Sequence, residues 1–237
     1  MKRIITNPLL DEAENIDKTI AQMRELGVLT GLGECNHPSF ETLRSAVRKH
    51  FEVPWTSITP PMERLLYSIS AVNQPRNIVA IGIFCGNTLI WNIGAACGPG
   101  RCYSAEQLVG VEIESKSAAL ARINLERIGV LNSVELLDED GHETLERAGY
   151  PIDLLYLDAN GALPGTTGPN TKKIYLTLLQ RAYDKMPPGS LVVAHDTLPE
   201  WFVRSAGEYL DFVRDPAHFR ESVSVEPDKV GIEVSVK

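Results

Sequence analysis

Apolar positions in the first 58 residues recur at helical spacing, whereas after Asn77 they gather into short β-branched runs separated by helical stretches. Over residues 11–26, Ile16, Ile20, Met23 and Leu26 follow a period near 3.6. Ser39 reads as the N-cap of a second helix that carries Phe40, Leu43, Val47 and Phe51. Residues 31–38, polar and glycine-containing, join the two. Thr59-Pro60-Pro61 opens a third helix, with the Thr59 hydroxyl as its cap and Pro60 at the first helical position. No strand is predicted in this part of the chain.

Five later runs read as strands, over residues 78–81, 107–112, 133–137, 153–157 and 190–194. Helices are predicted between them, over 88–96, 115–128, 143–148 and 174–185. Repeated βα units imply an α/β fold with a parallel, doubly wound sheet and right-handed crossovers. Two alternating runs, 222–225 and 231–236, flank Glu226-Pro227-Asp228-Lys229 and predict an antiparallel pair that closes the sheet. The expected architecture is a Rossmann-like, seven-stranded, mostly parallel sheet over 59–237, preceded by a helical cap or lid over 1–58.

A length of 237 residues suits one α/β domain with a full core, and the apolar fraction of 43% is ordinary for a globular chain. The net charge of -8, with no Lys/Arg run, argues against nucleic acid as a partner, because phosphate binding needs a basic face. No apolar stretch approaches the roughly 20 residues that a membrane span requires. The N-terminus, Met1 to Pro8, starts with positive charge and turns acidic at once, so it does not read as a signal peptide, and a cytoplasmic location is expected. Cys35, Cys85, Cys97 and Cys102 show neither C-x-x-C pairing nor histidines at zinc-like spacing. They read as reduced, mostly buried thiols, with Cys85 expected to line the ligand site.

The chemistry concentrates where the first strand ends. Ile81-Gly82-x-x-x-Gly86 is a glycine turn that leads into a helix, and the next strand ends on Glu112. Glycines let the backbone approach a ligand closely, and an acid at that strand end can accept hydrogen bonds from both hydroxyls of a ribose. A pyrophosphate cradle would need a third glycine at the helix start, which this chain lacks. The turn therefore favours a ligand with a ribose and an adenine but no phosphate, which points to S-adenosylmethionine. A nicotinamide-dependent oxidoreductase is the rival reading.

Further motifs follow in order: Asp138-Glu139-Asp140-Gly141, Asp153-Leu154-Leu155-Tyr156-Leu157-Asp158, and Pro188-Gly189-Ser190-Leu191-Val192-Val193-Ala194-His195-Asp196. With them the chain from Thr59 onward resembles the class I S-adenosylmethionine-dependent methyltransferases, and more closely the small-molecule O-methyltransferases related to catechol and caffeoyl-CoA methyltransferases. The resemblance implies that Gly82 and Gly86 border the methionine moiety, Glu112 holds the ribose, and Asp140 or Gly141 edges the adenine. Thr59, Phe84, Thr88 and Asp158 are further implied cofactor contacts, and a homodimer is implied as well. The chain departs from the family pattern at Ala80, where an acidic residue is usual. It also lacks a lysine in the loop Ala159-Asn160-Gly161-Ala162, and it carries His195-Asp196 where metal-dependent relatives have Asp-Asn.

Strands four and five, as neighbours about 4.8 Å apart, would bring Asp158, His195 and Asp196 together at the crevice mouth. Two carboxylates and an imidazole can hold a divalent metal, magnesium or manganese, that activates an acceptor hydroxyl. Alternatively His195 is a metal-free general base oriented by Asp196 or Asp158. In the plainest reading His195 is a satisfied strand-end histidine and Asp196 caps a turn. Asp158-Ala159-Asn160-Gly161 is not the motif associated with methylation of nitrogen, so a small hydroxylated molecule is the expected substrate. Residues 160–171 read as a lid, His37 as a candidate acceptor contact, and Trp55, Trp91 and Trp201 as core or pocket residues. A methyltransferase fold with a non-methylating activity is the remaining alternative.

Overall fold

The chain begins with a strand that its hydrophobic pattern hides. β1 (Arg3–Ile5) is three residues long, too short to show a period of two, and it pairs in parallel with β7 (Glu221–Glu226). Only Ile4 points inward, and Lys2 and Arg3 are held by Glu221 and Glu226. The computed structural model describes residues 2–7, 9–56, 58–168 and 171–237. Met1, Pro8 and Ser57 of the expected N-terminal segment, and Pro169 and Asn170 of the expected lid, lie outside the described residues.

Three helices follow, α1 (Glu12–Glu25), α2 (His37–His50) and α3 (Pro60–Asn73). The α2 cap is Asn36 rather than Ser39: its side chain accepts from the Ser39 N–H, and its own backbone lies at φ +52°. Asparagine tolerates that left-handed conformation better than most residues. Thr59 precedes α3 as expected, but its hydroxyl donates to Asp228 Oδ2 at 2.6 Å instead of capping the helix.

The remaining strands are β2 (Asn77–Ile81), β3 (Gln107–Val111), β4 (Glu135–Leu137), β5 (Leu154–Leu157), β6 (Leu191–His195) and β8 (Ile232–Val236), in the sheet order β1-β7-β8-β6-β5-β2-β3-β4. The sheet thus has eight strands, one more than expected, with β2 to β6 parallel and β8 antiparallel to both neighbours. β2, β5, β6 and β8 are buried along their whole length, as strands covered on both faces must be. Ile78 and Ala80 face one core, shared with α1 to α3, α4 (Asn87–Ile93) and α5 (Ser115–Arg127). Val79 and Ile81 face the other, shared with α6 (Gly141–Arg147), α7 (Ile174–Tyr183) and α8 (Glu200–Arg214).

α8 is a second element that the sequence pattern did not announce. Its buried stripe of Phe202, Ala206, Tyr209, Leu210 and Val213 is interrupted by the half-exposed Trp201 and Val203 and by non-helical backbone at Ala206. Strand order reverses at β2, whose neighbours are β3 on one side and β5 on the other. That reversal opens a crevice beyond the C-terminal ends of these strands. Gly82, Glu112, Asp158 and His195 all lie at those ends.

Candidate active site

After β2 the backbone must turn against the segment that follows β5. Gly82 does so at φ +83°, and a Cβ there would lie 2.4 Å from the Ala159 nitrogen, so glycine is required by space as well as by conformation. Phe84 adopts φ +50°, a costly conformation for an aromatic residue, and its N–H donates to Glu112 Oε2 at 2.7 Å. The Glu114 N–H donates to Glu112 Oε1 at 3.0 Å. The Glu112 carboxylate is therefore fixed at the end of β3 while retaining acceptor capacity. Burial pushes its pKa up, against the lowering effect of these backbone donors.

Glu112 lies on a cavity of about 830 Å³ that continues to His195. Gly82, Phe84, Thr88, Asp140, Gly141, Asp158 and Asp196 also line it. Two expected cofactor contacts do not. Gly86 sits behind the turn as the N-cap of α4, and Thr59 faces a smaller adjoining cavity of about 500 Å³ with His195, Asp196 and Asp228. The buried Thr88 hydroxyl has no hydrogen-bond partner among the described residues. Asp140 caps α6 by accepting from the His142 N–H at 2.7 Å, and the His142 ring bridges Asp140 and Thr177. Cys85, expected at the site, is fully buried and does not line the cavity.

At the other end, pairing of Leu157 with Ala194 sets Asp158 beside His195, as the sequence predicts. His195 Nδ1 lies 3.3 Å from Asp158 Oδ1 and 3.4 Å from Asp196 Oδ1. Both neighbours are acceptors, so Nδ1 carries the proton and the neutral ring keeps its lone pair on Nε2. Nε2 is buried and without a hydrogen-bond partner among the described residues. Burial alone would depress the His195 pKa, but the Asp158 and Asp196 carboxylates outweigh it and the net shift is upward. Asp196 is held at φ +62° by its N–H bond to the Gly231 carbonyl at 3.0 Å.

The loop immediately after β5, Ala159-Asn160-Gly161-Ala162, holds no lysine, as expected. The structure nevertheless delivers one. Backbone hydrogen bonds between Gly161 and Thr171, at 3.2 and 2.9 Å, close the loop on itself and return Lys172 to the strand end. Its Nζ lies 2.6 Å from Asp158 Oδ1 and 3.1 Å from Asp196 Oδ2. Burial would raise the Asp158 pKa, but Lys172 and His195 hold its carboxyl below the usual carboxylate range. A signal was available: Lys172 lies two residues before the helix that follows the Asp158 strand, and such loop ends face the crevice.

Asp158, His195 and Asp196 thus converge as expected, with ligand atoms within 4.8 Å of one another. The donor set does not fit a divalent cation as it stands, because the Lys172 ammonium lies between the two carboxylates. Other expected contacts fall elsewhere. His37 bonds Asp17 and Arg64 and is not on the cavity. Trp91 is core, while Trp201 is half-exposed and Trp55 exposed, the last against Phe84 with ring centroids 4.8 Å apart. Ala80 is fully buried within β2, away from the cavity lining.

A methyltransferase-domain family model matches residues 79–197. A catechol O-methyltransferase from Mycobacterium tuberculosis is 32% identical over 110 residues, which cover 46% of this chain and 47% of that protein. A catechol O-methyltransferase from Niastella koreensis is 26% identical over 150 residues, 62% of this chain and 60% of that protein. The chain therefore matches only about half to three fifths of the length of these curated relatives. An O-methyltransferase from Bacillus cereus, solved in complex with SAH, superposes with a TM-score of 0.60 at 20% identity, covering 84% of this chain and 91% of that one. At such identity the likeness speaks for the fold alone.

Proposed function

Since this chain belongs to the methyltransferase-domain family that its residues 79–197 match, we propose that it transfers a methyl group from S-adenosylmethionine to a hydroxyl oxygen of a small molecule. The observation that carries the reading is one cavity lined both by a fixed ribose-type acceptor, Glu112, and by His195, whose buried Nε2 has no hydrogen-bond partner among the described residues. Glu112, Glu114, Glu139, Asp140, Asp158 and Asp196 line this cavity against one lysine, Lys172. Such a field favours a sulfonium cation and opposes a pyrophosphate, which weighs against a dinucleotide.

In this reading Glu112 accepts from the ribose hydroxyls, the backbone at Gly82 and the Thr88 hydroxyl border the methionine moiety, and Asp140 and Gly141 edge the adenine. When bound, S-adenosylmethionine supplies a methyl group whose bond to sulfur breaks, leaving the electron pair on sulfur, as an acceptor oxygen bonds to the carbon. His195 Nε2 takes the proton of the acceptor hydroxyl. Asp158 and Asp196, facing Nδ1, stabilise the imidazolium that results. Of the N-terminal part, Thr56 and Ile58 reach the cavity, while β1 joins the sheet and α1 and α2 pack into one core. No helix among the described residues is long and apolar enough to cross a membrane. A cytoplasmic homodimer completes the reading, and sedimentation at twice the chain mass of 26.1 kDa would support it.

Calorimetric titration with S-adenosylhomocysteine, and separately with NAD, tests the cofactor assignment. Micromolar binding of the former is expected. Loss of hydrogen bonds to a charged acceptor in Glu112→Ala should weaken it by about tenfold to a hundredfold. Binding of NAD instead, or an unaffected Glu112→Ala protein, would overturn the assignment.

A further inference from the structure

The position of Lys172 is built from the core outward. Its side chain is only 2% exposed, and Nζ lies 5.1 Å from the ring centroid of Tyr175, itself fully buried. The Tyr175 hydroxyl donates to the His195 carbonyl at 3.3 Å and stands 2.8 Å from Nζ. With Asp158 Oδ1 at 2.6 Å, the Asp158 carbonyl at 3.1 Å and Asp196 Oδ2 at 3.1 Å, four acceptors surround three N–H groups. An ammonium so placed has no donor left over for a substrate and no lone pair to act as a base.

A divalent cation at this place would need the same carboxylate oxygens, at about 2.1 Å for magnesium. It would also stand within a few ångströms of a fixed positive charge, buried where water screens little. We propose that Lys172 is the permanent, tethered replacement for a divalent ion at this site. It fixes Asp158 and Asp196 beside His195 and makes the reaction independent of metal. Only the last clause rests on the methyl-transfer reading; the exclusion of metal stands on Lys172 and its partners alone.

The test is a titration of the full-length, chelator-stripped protein with manganese, followed by electron paramagnetic resonance of free Mn²⁺, which needs neither cofactor nor acceptor. The wild type is expected to leave the free signal unchanged through the micromolar range. Lys172→Ala should gain at least about a tenfold rise in Mn²⁺ affinity, and the gain should vanish in Lys172→Ala/Asp196→Asn. Stoichiometric micromolar binding by the wild type, abolished by Asp158→Asn, would overturn the proposal whether or not the lysine variant folds. So would a folded Lys172→Ala, verified by circular dichroism, that gains nothing. Once an acceptor is found, turnover should survive chelation within about twofold. A loss restored by magnesium or manganese would equally overturn it, whereas absence of turnover with every acceptor would bear only on the methyl-transfer reading.

Discussion

Two of the buried charge clusters among the described residues lie on either side of one distinction, and the contrast between them separates a structural network from a reactive one. Between the N-terminal helices, Arg44 and Arg64 lie with their guanidinium carbons 4.2 and 4.3 Å from the Phe40 ring centroid. Glu12 binds both, Glu63 binds Arg44, Glu41 binds Arg64, and the Pro60 carbonyl and His37 Nδ1 take further N–H groups. In the cavity Lys172 is matched just as fully by Asp158, Asp196 and Tyr175. The difference is His195, whose Nδ1 is claimed by two carboxylates while Nε2 is claimed by none of the described residues. Burial and charge are common to both clusters; a polar atom without a partner among the described residues, on a side chain that lines the cavity, belongs to one. Perturbed groups alone do not identify a site, because ion-pair networks perturb them too.

That contrast can be broken by substitution. His195→Gln removes the base but keeps a polar side chain of similar reach, and turnover should fall by about a hundredfold to ten-thousandfold, with the melting temperature nearly unchanged. Arg44→Met should do the reverse. It leaves Glu63 buried without its guanidinium, and loss of one partner from such a pair costs about 3–5 kcal/mol, measurable as a lower urea midpoint. Its cofactor affinity should hold in the fraction that remains folded. If His195→Gln destabilised the fold and left turnover intact, the two clusters would be of one kind and the base assignment would fail.

What the sequence made legible follows the same line. Asp158, His195, Asp196 and Glu112 were readable because strand ends are fixed by the sheet: once β2, β3, β5 and β6 are neighbours, their terminal residues converge. Lys172 was not, because it reaches Asp158 through a loop whose path depends on the Gly161–Thr171 bridge, a pairing that carries no sequence period. The Arg44–Arg64 network was hidden for a related reason. Each arginine sits on a helix face between apolar neighbours, where a periodic reading registers the phenylalanine and leucines and passes over the charges. β1 is too short to show alternation, and the stripe of α8 is broken at Ala206, so both elements depend on contacts rather than on local pattern.

The smallest expected difference lies in how each cluster makes stability depend on pH. His195 has a folded-state pKa raised above its ordinary value because Asp158 and Asp196 outweigh burial and the opposing charge of Lys172. A raised folded value means that protonated His195 stabilises the fold below its unfolded pKa of about 6.5. This contribution is lost as pH climbs through the folded value. Glu12 runs the other way: burial opposes its ionisation, but Arg64 and Arg44 prevail and its folded pKa is lowered. Its contribution is present above its unfolded pKa of about 4.3, and it is lost as pH falls through the folded one. The quantity to measure is the difference in unfolding free energy between wild type and variant across pH, since absolute values also carry lost packing. The difference for His195→Gln should shrink as pH rises from the unfolded pKa of about 6.5 through the folded one, and stay level in acid, down to the range where Asp158 itself protonates. The difference for Glu12→Gln should shrink only in acid. If the His195→Gln difference did not shrink with rising pH, the field of Lys172 would dominate that of the two carboxylates at Nδ1. His195 would then enter the reaction already neutral, and its pairing with Asp158 would orient the ring without raising its basicity.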